Sequence, residues 1–422
     1  MPAIYDALII GAGPAGSTTA FLLAEAGWSV AIVEKKAFPR VKVCGEFISA
    51  TSLPLLQKLN LKEYYYAYGG PEIQRVGLFI KDTIIVAPMP KMDSSSHWGR
   101  ALERKYLDNA LLDKACHSGA KRWQPWEVKN VEQKGNLYTT TLLSNHRIKT
   151  IESRTIIMAN GSWEKNLPIS HIPDHNPSDL LAFKRHFNNS NLSSKHAPSD
   201  LLAFKRHFIN SDLPSDLMPL LAFPGGYGGL VRSSKDRVTL SCCIRRDTLQ
   251  YLRKQYSGLL AGEAVFKHIN ETCLGARQAL ASVLAASPWL AAGPIRPGIR
   301  QCYKDKIFYV GNAAGEAHPI IAEGISMAIQ SAELLSKQLI RYQDKIHINS
   351  FMNKIGHDYT KQWNNYFSNR IHIAAILAQL AMRPKIATML LPFLKKFPHI
   401  LTLGASLSGK TKSIANETEN AI

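Results

Sequence analysis

Long apolar runs are missing from this chain of 422 residues. Nowhere do eighteen uninterrupted apolar residues occur, so no segment is expected to cross a bilayer as a helix. Zinc-type spacing is missing too. The six cysteines (Cys44, Cys116, Cys242, Cys243, Cys273, Cys302) form no CxxC pair and stand in no Cys/His ligand pattern, so no metal site is expected. The N-terminus enters an apolar run at once, without the basic n-region, h-region and cleavage site of a secretory signal. Reduced thiols in a cytoplasmic compartment are the expectation. Acidic residues are scarce, 32 Asp+Glu against 51 Lys+Arg, a net charge of +19. That excess suits an anionic membrane surface, a phosphorylated ligand or nucleic acid. Basic residues come singly or in pairs (Lys35-Lys36, Arg245-Arg246) and no nucleic-acid-binding module is present, which disfavours the last. With 45% hydrophobic and 20% charged residues, the composition is that of a globular protein of two or three domains.

The strongest positive signal lies at the N-terminus. Ala7-Leu8-Ile9-Ile10 is a short apolar run that ends at Gly11-Ala12-Gly13-Pro14-Ala15-Gly16. A helix-like pattern follows through Ala20, Leu22, Leu23, Ala24 and Ala26 to Gly27, and then Val30-Ala31-Ile32-Val33 closes on Glu34. Strand, glycine turn, helix, strand and acid in this order specify a dinucleotide site. Gly11 permits the tight turn, Gly13 lets the backbone approach a pyrophosphate, and Gly16 lets helix and strand pack closely. The helix N-terminus supplies N–H groups and positive dipole, and Glu34 can accept hydrogen bonds from ribose hydroxyls.

Further motifs separate FAD from NAD. Lys306-Ile307-Phe308-Tyr309-Val310-Gly311-Asn312-Ala313-Ala314-Gly315 runs from a strand into a small-residue turn. His318-Pro319, Gly324-Ile325 and a helical stretch follow. Pro39-Arg40-Val41-Lys42-Val43-Cys44-Gly45-Glu46, Gly99-Arg100-Ala101-Leu102 with Arg104 and Leu107-Asp108, and Ile156-Ile157-Met158-Ala159-Asn160-Gly161 complete the set. Together these resemble the FAD-dependent glutathione-reductase-type flavoproteins, in the branch that contains p-hydroxybenzoate hydroxylase and geranylgeranyl reductase, over residues 1 to about 345. The resemblance implies an α/β fold: a discontinuous Rossmann-type FAD-binding domain (1–72, 99–165, 291–345), an inserted mostly-β substrate domain (73–98, 166–290) and a C-terminal helical region (346–422).

It also implies FAD contacts from Gly11, Gly13, Pro14, Ala15, Gly16, Glu34, Lys35, Arg40, Cys44, Gly45, Arg100, Val128, Gly311, Asn312, Gly324 and Ile325. Arg100 is expected to be the flavin-contacting arginine. Asn312 and Asn160 stand where the superfamily usually carries Asp. An amide oxygen accepts the same hydrogen bond without charge assistance, a loss of roughly 1 kcal/mol or about fivefold in affinity. A bland alternative for Asn312 is that it caps the helix beginning nearby.

For catalysis the candidates are Cys44, His318 and Tyr227, the last within Pro224-Gly225-Gly226-Tyr227-Gly228-Gly229. By resemblance Cys44 lies beside the isoalloxazine, and it would need a lowered pKa to act as thiolate, with Lys42 a source of that shift. Its alternative is a small buried apolar residue. His318 is an acid–base candidate or a residue structuring the turn before Pro319. The glycine-rich stretch is either a wall of the substrate cavity or an ordinary hairpin turn.

The expected activity is FAD-dependent reduction or monooxygenation of a hydrophobic isoprenoid, lipid-like or polyketide/aromatic molecule, with NAD(P)H as electron donor. Lys42-x-Cys44-Gly45 and Gly315 favour the reductase side, and absence of a WxWxIP motif disfavours halogenation. The alternative class is a non-catalytic flavin-binding protein, membrane-peripheral or nucleic-acid-associated.

Two features lie outside the resemblance. Pro177–Phe187 recurs identically as Pro198–Phe208, twenty-one residues on. Two copies of one strand cannot fill one slot in a sheet, so the second is expected to take it and the first to bulge out; the alternative is that both copies pair as neighbouring strands. From 346 the pattern turns helical and basic, with apolar stripes at Ile371–Ala381 and Leu390–Leu401 beside Arg383, Lys385, Lys395 and Lys396. This is either an amphipathic surface that meets anionic lipid or admits a greasy substrate, or helices packing on the FAD domain.

Overall fold

A computed structural model describes residues 4–92, 97–162, 200–346 and 348–411. The chain opens with β1 (Ile4–Ile10), α1 (Pro14–Glu25) and β2 (Val30–Val33), followed by the hairpin β3 (Arg75–Ile80) and β4 (Thr83–Pro88). Helix α2 (Arg104–His117) leads to β5 (Lys121–Trp123) and a meander of β6 (Glu127–Lys134), β7 (Leu137–Ser144) and β8 (Arg147–Met158). Next come β9 (Leu201–Ile209), β10 (Leu217–Phe223), β11 (Gly226–Arg232) and β12 (Arg237–Arg245). Helices α3 (Arg246–Gln255), α4 (Ala261–Thr272) and α5 (Leu274–Ala279) precede β13 (Leu290–Ile295) and β14 (Ile307–Tyr309). The chain finishes with α6 (Gly324–Arg341), α7 (Asn349–Ala381), α8 (Pro384–Lys396) and α9 (His399–Ala405).

Two sheets organise these elements. In the first, β14, β8, β1, β2 and β5 run parallel in that order, with the antiparallel β6–β7 meander joined through β8. Ala7-Leu8-Ile9-Ile10 is buried along its whole length because both faces of this sheet are covered. Ala7 and Ile9 pack with α1, α2 and α6, while Leu8 and Ile10 pack under the meander with Val128, Tyr138 and Leu142. The second sheet is largely antiparallel, in the order β9-β12-β11-β10-β3-β4, with β13 on the free side of β9 and one parallel pair, β10–β3. Its far face packs on α3, α4 and α5 through Phe204, Leu221, Leu240, Leu252 and Val265. Its near face meets the C-terminal helices through Ile80, Ala222, Tyr227, Ala378 and Leu391.

The hairpin β3–β4 turns at Lys81-Asp82, with Lys81 at φ +50. The second repeat copy is β9, an interior strand pairing with β12 from Leu201 opposite Arg245 to Ile209 opposite Arg237. The first copy lies outside the described residues. Of the glycine-rich stretch only Gly225 lies in the turn; Gly226, Gly228 and Gly229 belong to β11. A Cβ at Gly228 would lie 2.8 Å from that of Cys242, so the glycines let β11 sit close against β12.

Candidate active site

The turn from β1 into α1 is shaped by its first and third glycines. Gly11 takes φ +106, and a Cβ there would fall 2.5 Å from the Ala159 carbonyl oxygen; one at Gly16 would fall 1.9 Å from the Gly11 oxygen. A Cβ at Gly13 would meet nothing nearer than Nη2 of Arg40, at 3.7 Å. The middle glycine is therefore the open one, and α1 starts behind it with Pro14 and no side-chain cap, leaving first-turn N–H groups directed outward. Glu34 is fastened to this turn. One carboxylate oxygen accepts from the Ala12 N–H at 3.0 Å, the other from the Lys36 N–H at 2.9 Å, and Nη1 of Arg40 pairs with it at 3.0 Å.

Cations crowd the wall beside the turn. Arg40 reaches Asp108 at 3.4 Å, and Arg104 grips both oxygens of Asp108 at 2.6 and 2.7 Å. Lys42 stands between them on the cavity side, and burial, reinforced by Arg40 and Arg104, pulls its ammonium down to about 8. Cys44 follows on the same wall, its Sγ accepting from the Glu46 N–H at 3.3 Å with the Arg104 guanidinium beside it. Glu46, at φ +66 and buried, ties this segment to the second sheet. It pairs with Lys205, and accepts from His207 at 3.0 Å, from Thr239 at 2.9 Å and from the Arg104 N–H at 3.1 Å. Burial alone would raise its carboxyl, but the His207 hydrogen bond and the Lys205 charge prevail and hold it near about 2.

The second motif closes on the first. Gly311 takes φ +60 and packs on Ala15, where a Cβ would come within 2.8 Å of the alanine methyl. Asn312 donates through Nδ2 to Glu316 at 3.0 Å and to Ser162 at 3.4 Å. It caps no helix: it sits in a short turn, Gly311–Ala313, and α6 begins only at Gly324 with Glu323 before it. Gly324 and Ile325, the first residues of α6, lie on the cavity wall.

These elements surround one continuous cavity of about 1060 Å³. It starts at Gly11–Ala15, passes Asn160, Asn312, Cys44 and Ile325, and opens into an apolar chamber. One side of the chamber is the second sheet, with Val76, Leu78, Leu220 and Ala222; the other is α7, α8 and α9, with Leu377, Leu380, Leu390, Phe393, Leu394 and Leu401. Tyr227 lies on this wall, its hydroxyl 3.1 Å from Nδ1 of His318 and hydrogen-bonded to Cys243 opposite it in the sheet. Burial lowers His318 to about 4, raises Tyr227 well above 10 and pushes Cys243 up to about 12. At neutral pH all three are uncharged.

Of the residues singled out in the sequence, Gly11, Gly13, Pro14, Ala15, Glu34, Lys35, Arg40, Cys44, Gly45, Val128, Tyr227, Asn312, Gly324 and Ile325 line the cavity. Gly16 and Gly311 pack behind the wall, and His318 reaches it through Tyr227. Arg100 does not line it. That guanidinium lies over the Tyr66 ring at 4.8 Å and bonds Glu72 at 3.4 Å, and of the two arginines in this motif it is Arg104 that joins Arg40 on the wall. Sequence reasoning passed over Lys205, His207, Thr239, Cys243 and Glu316. The one available signal was Lys205 and His207 two apart in an apolar strand, which places both on one face.

The open glycine, the uncapped helix end, the anchored acid and the neighbouring cations suit a dinucleotide diphosphate, and the sequence matches the FAD binding domain family over residues 4–344. The chain belongs to that family. It is a flavoprotein of the FAD-dependent oxidoreductases, and Gly13, the α1 N-terminus, Glu34, Arg40 and Lys42 are the residues that would hold the ADP half of FAD. The flavoprotein is 25% identical to conditioned medium factor receptor 1 of Dictyostelium discoideum, over 97% of this chain and 74% of that one. It is 21% identical to digeranylgeranylglycerophospholipid reductase 1 of Methanopyrus kandleri, over 90% and 92%. Among solved structures, a flavin-dependent brominase superposes with a TM-score of 0.71 at 17% identity, covering 97% of this chain and 94% of that one. A probable FAD-dependent monooxygenase from Pseudomonas aeruginosa gives 0.68 at 15% identity, covering 92% and 99%. These structural likenesses establish the fold.

Proposed function

We propose that this flavoprotein reduces carbon–carbon double bonds in a long, uncharged isoprenoid or similar lipid, with NAD(P)H as the source of electrons. The observation that carries this reading is the cavity's continuity from the cofactor motifs into a chamber walled by apolar side chains. An uncharged hydrocarbon gains there at roughly 25 cal/mol per Å² of surface removed from water, whereas a charged substrate would lose its hydration without a partner. The similarity to a digeranylgeranylglycerophospholipid reductase over 90% of this chain supports an isoprenoid chain as the part of the substrate that enters the chamber.

Bound FAD supplies the hydride chemistry. The protein's own residues bind, orient and protonate. Arg40, Lys42 and Arg104 offer positive charge to the diphosphate side, and the chamber excludes water from the reacting bond. Saturating a double bond takes one hydride and one proton. Tyr227 is the proton donor in this reading: its phenol is protonated, faces the chamber and is backed by neutral His318, through which it can be reprotonated. Cys44 stands on the cofactor side of the same cavity and is a second candidate for tuning the flavin.

The substrate would be drawn from a membrane. Between Asp358 and Glu417 the sequence has no acidic residue. Arg383, Lys385, Lys395 and Lys396 are exposed beside Met389, Phe393, Leu403 and Leu407, and Phe393 also lines the chamber. No single described helix is long and apolar enough to cross a membrane, and the apolar Leu377, Leu380, Leu390 and Leu394 of α7 and α8 are taken up by the chamber, so the contact proposed is peripheral.

The test is anaerobic incubation of the FAD-loaded protein with NADH or NADPH and a detergent-dispersed polyprenyl lipid, followed by mass spectrometry. Gain of paired hydrogens is the expected product. Gain of oxygen in air, with no anaerobic product, would instead assign a monooxygenase. Flavin that stays bound without any turnover would favour a non-catalytic flavin-binding protein.

A further inference from the structure

The FAD binding domain ends at residue 344, yet the last described turn of the chain returns to the cofactor site. Beyond α9 the backbone passes through Ser406–Lys410, where Gly409 takes φ +106. A Cβ at Gly409 would lie 2.5 Å from Nε of the buried Arg370, so only glycine lets the chain turn there. The turn drives Lys410 inward until it is 6% exposed, on the cavity wall. Its ammonium donates to the Ile321 carbonyl at 2.6 Å and pairs with Glu323 at 2.7 Å. Glu323 is fully buried and immediately precedes Gly324 and Ile325, with which α6 meets the cavity. Its second oxygen accepts from Ser49 at 3.1 Å; Ser49 in turn contacts Ser326 in the first turn of α6 at 3.0 Å.

A carboxylate at this place has an electrostatic consequence. The N-terminal end of a helix carries about half a positive charge, and an unbalanced Glu323 would cancel it where α6 faces the cofactor. We propose that Lys410, carried by the C-terminal segment outside the FAD binding domain, is a positioning residue of the flavin site: by neutralising Glu323 it leaves the α6 N-terminus positive toward FAD. The inference rests on FAD as cofactor and is independent of the substrate.

The test measures FAD affinity by titrating apoprotein, and the midpoint potential of the bound flavin, in Lys410→Met, Glu323→Gln and the double variant. Lys410→Met takes away the cation paired with Glu323; the buried Arg370, which bonds Gln330, acts on that carboxylate only from a distance, so the flavin faces a more negative α6 end. It is expected to raise the FAD dissociation constant about tenfold or more and to shift the potential negative, because reduction adds negative charge to the flavin. Glu323→Gln leaves an unbalanced ammonium and is expected to shift the potential positive. The double variant should lie near the wild type in both measurements. Wild-type affinity and potential in Lys410→Met would overturn the proposal. So would shifts of the same sign in both single variants, since packing damage has no reason to change sign with the charge removed. If Lys410→Met does not fold, Glu323→Gln decides, and an unchanged potential there sinks the idea.

Discussion

Two side chains on the cavity wall make the sharpest claims. Tyr227→Phe keeps the ring that fills the wall and removes only the hydroxyl facing His318 and Cys243. If Tyr227 supplies the proton, turnover should fall about 100-fold while the bound-flavin spectrum and FAD affinity stay at wild-type values; rapid-reaction and steady-state assays check this, and undiminished turnover would remove Tyr227 from the mechanism. Lys42 gives a pH dependence. In the free chain its ammonium is pulled from 10.5 down to about 8, and a diphosphate placed before it raises that value again. Between those two values the complex holds a proton that the free chain has lost, so FAD affinity is expected to fall as pH rises through about 8. Folding has the opposite slope: the unfolded chain holds the proton up to 10.5, so stability of the apoprotein should rise with pH from about 8 toward 10.5. Lys42→Met should flatten the affinity profile and weaken binding about tenfold at pH 7, the worth of one charge-assisted contact. Fluorescence titration across pH 6.5–9.5 reads both arms; a profile unchanged by the substitution would place the titration elsewhere.

At the level of elements, legibility followed locality. The β1–α1–β2 unit could be read because glycine turn, helix and acid lie within thirty-odd residues and each obeys a steric rule of its own. The choice between Arg100 and Arg104 could not, because it depends on where a strand ends. Arg100 belongs to a two-residue strand, Arg100–Ala101, and turns to Tyr66 and Glu72. Arg104 opens α2, where Asp108 lies one turn on and holds it toward the cavity. The chamber was illegible for a related reason: residues from Val76 to Leu401 build it, and neither the β10–β3 register nor the return of α7–α9 leaves a local signature. The apolar stripes from 371 onward left two readings open, and the described helices serve one purpose on each face: Leu390 and Leu394 wall the chamber, while Met389 is 74% exposed. That outer face makes its own prediction. The FAD-loaded protein should sediment with vesicles containing anionic lipid and much less with neutral ones, and Met389→Ser with Phe393→Ser and Lys395→Glu with Lys396→Glu should each release it without loss of flavin. At about 1 kcal/mol per basic residue near an anionic surface, the double charge reversal should cost well over tenfold in partitioning. Equal sedimentation of all variants would leave the chamber without its supposed source of substrate while leaving the reductase reading intact.

At the scale of the whole molecule, the site is a joint between two sheets, and the second copy of the duplicated sequence lies in that joint. β9 is the second copy, and its Lys205 and His207 hold Glu46, the residue through which the Cys44 segment of the cofactor side is fixed to the substrate side. The partners of β9 in β12, in β13, at Leu284–Ala285 and at Glu46 are all met by that copy. Residues 159–200 join β8 to β9, and deleting 177–197 removes half of them while joining Asn176 to the intact second copy at Pro198. Halving a chain connection changes closure entropy by only about 0.6 kcal/mol. The deleted protein is therefore expected to fold, to bind FAD at one equivalent and to melt within a few degrees of the full chain. Charge-neutral substitution of the joint, Lys205→Met with Glu46→Gln, should by contrast lower flavin content, because it frees the Cys44 segment from the sheet. Scanning calorimetry and flavin quantitation separate the two. A deletion that unfolds or loses flavin would mean that the first copy carries contacts the joint needs, and that the duplication is part of how the two sheets are held together rather than an addition beside them.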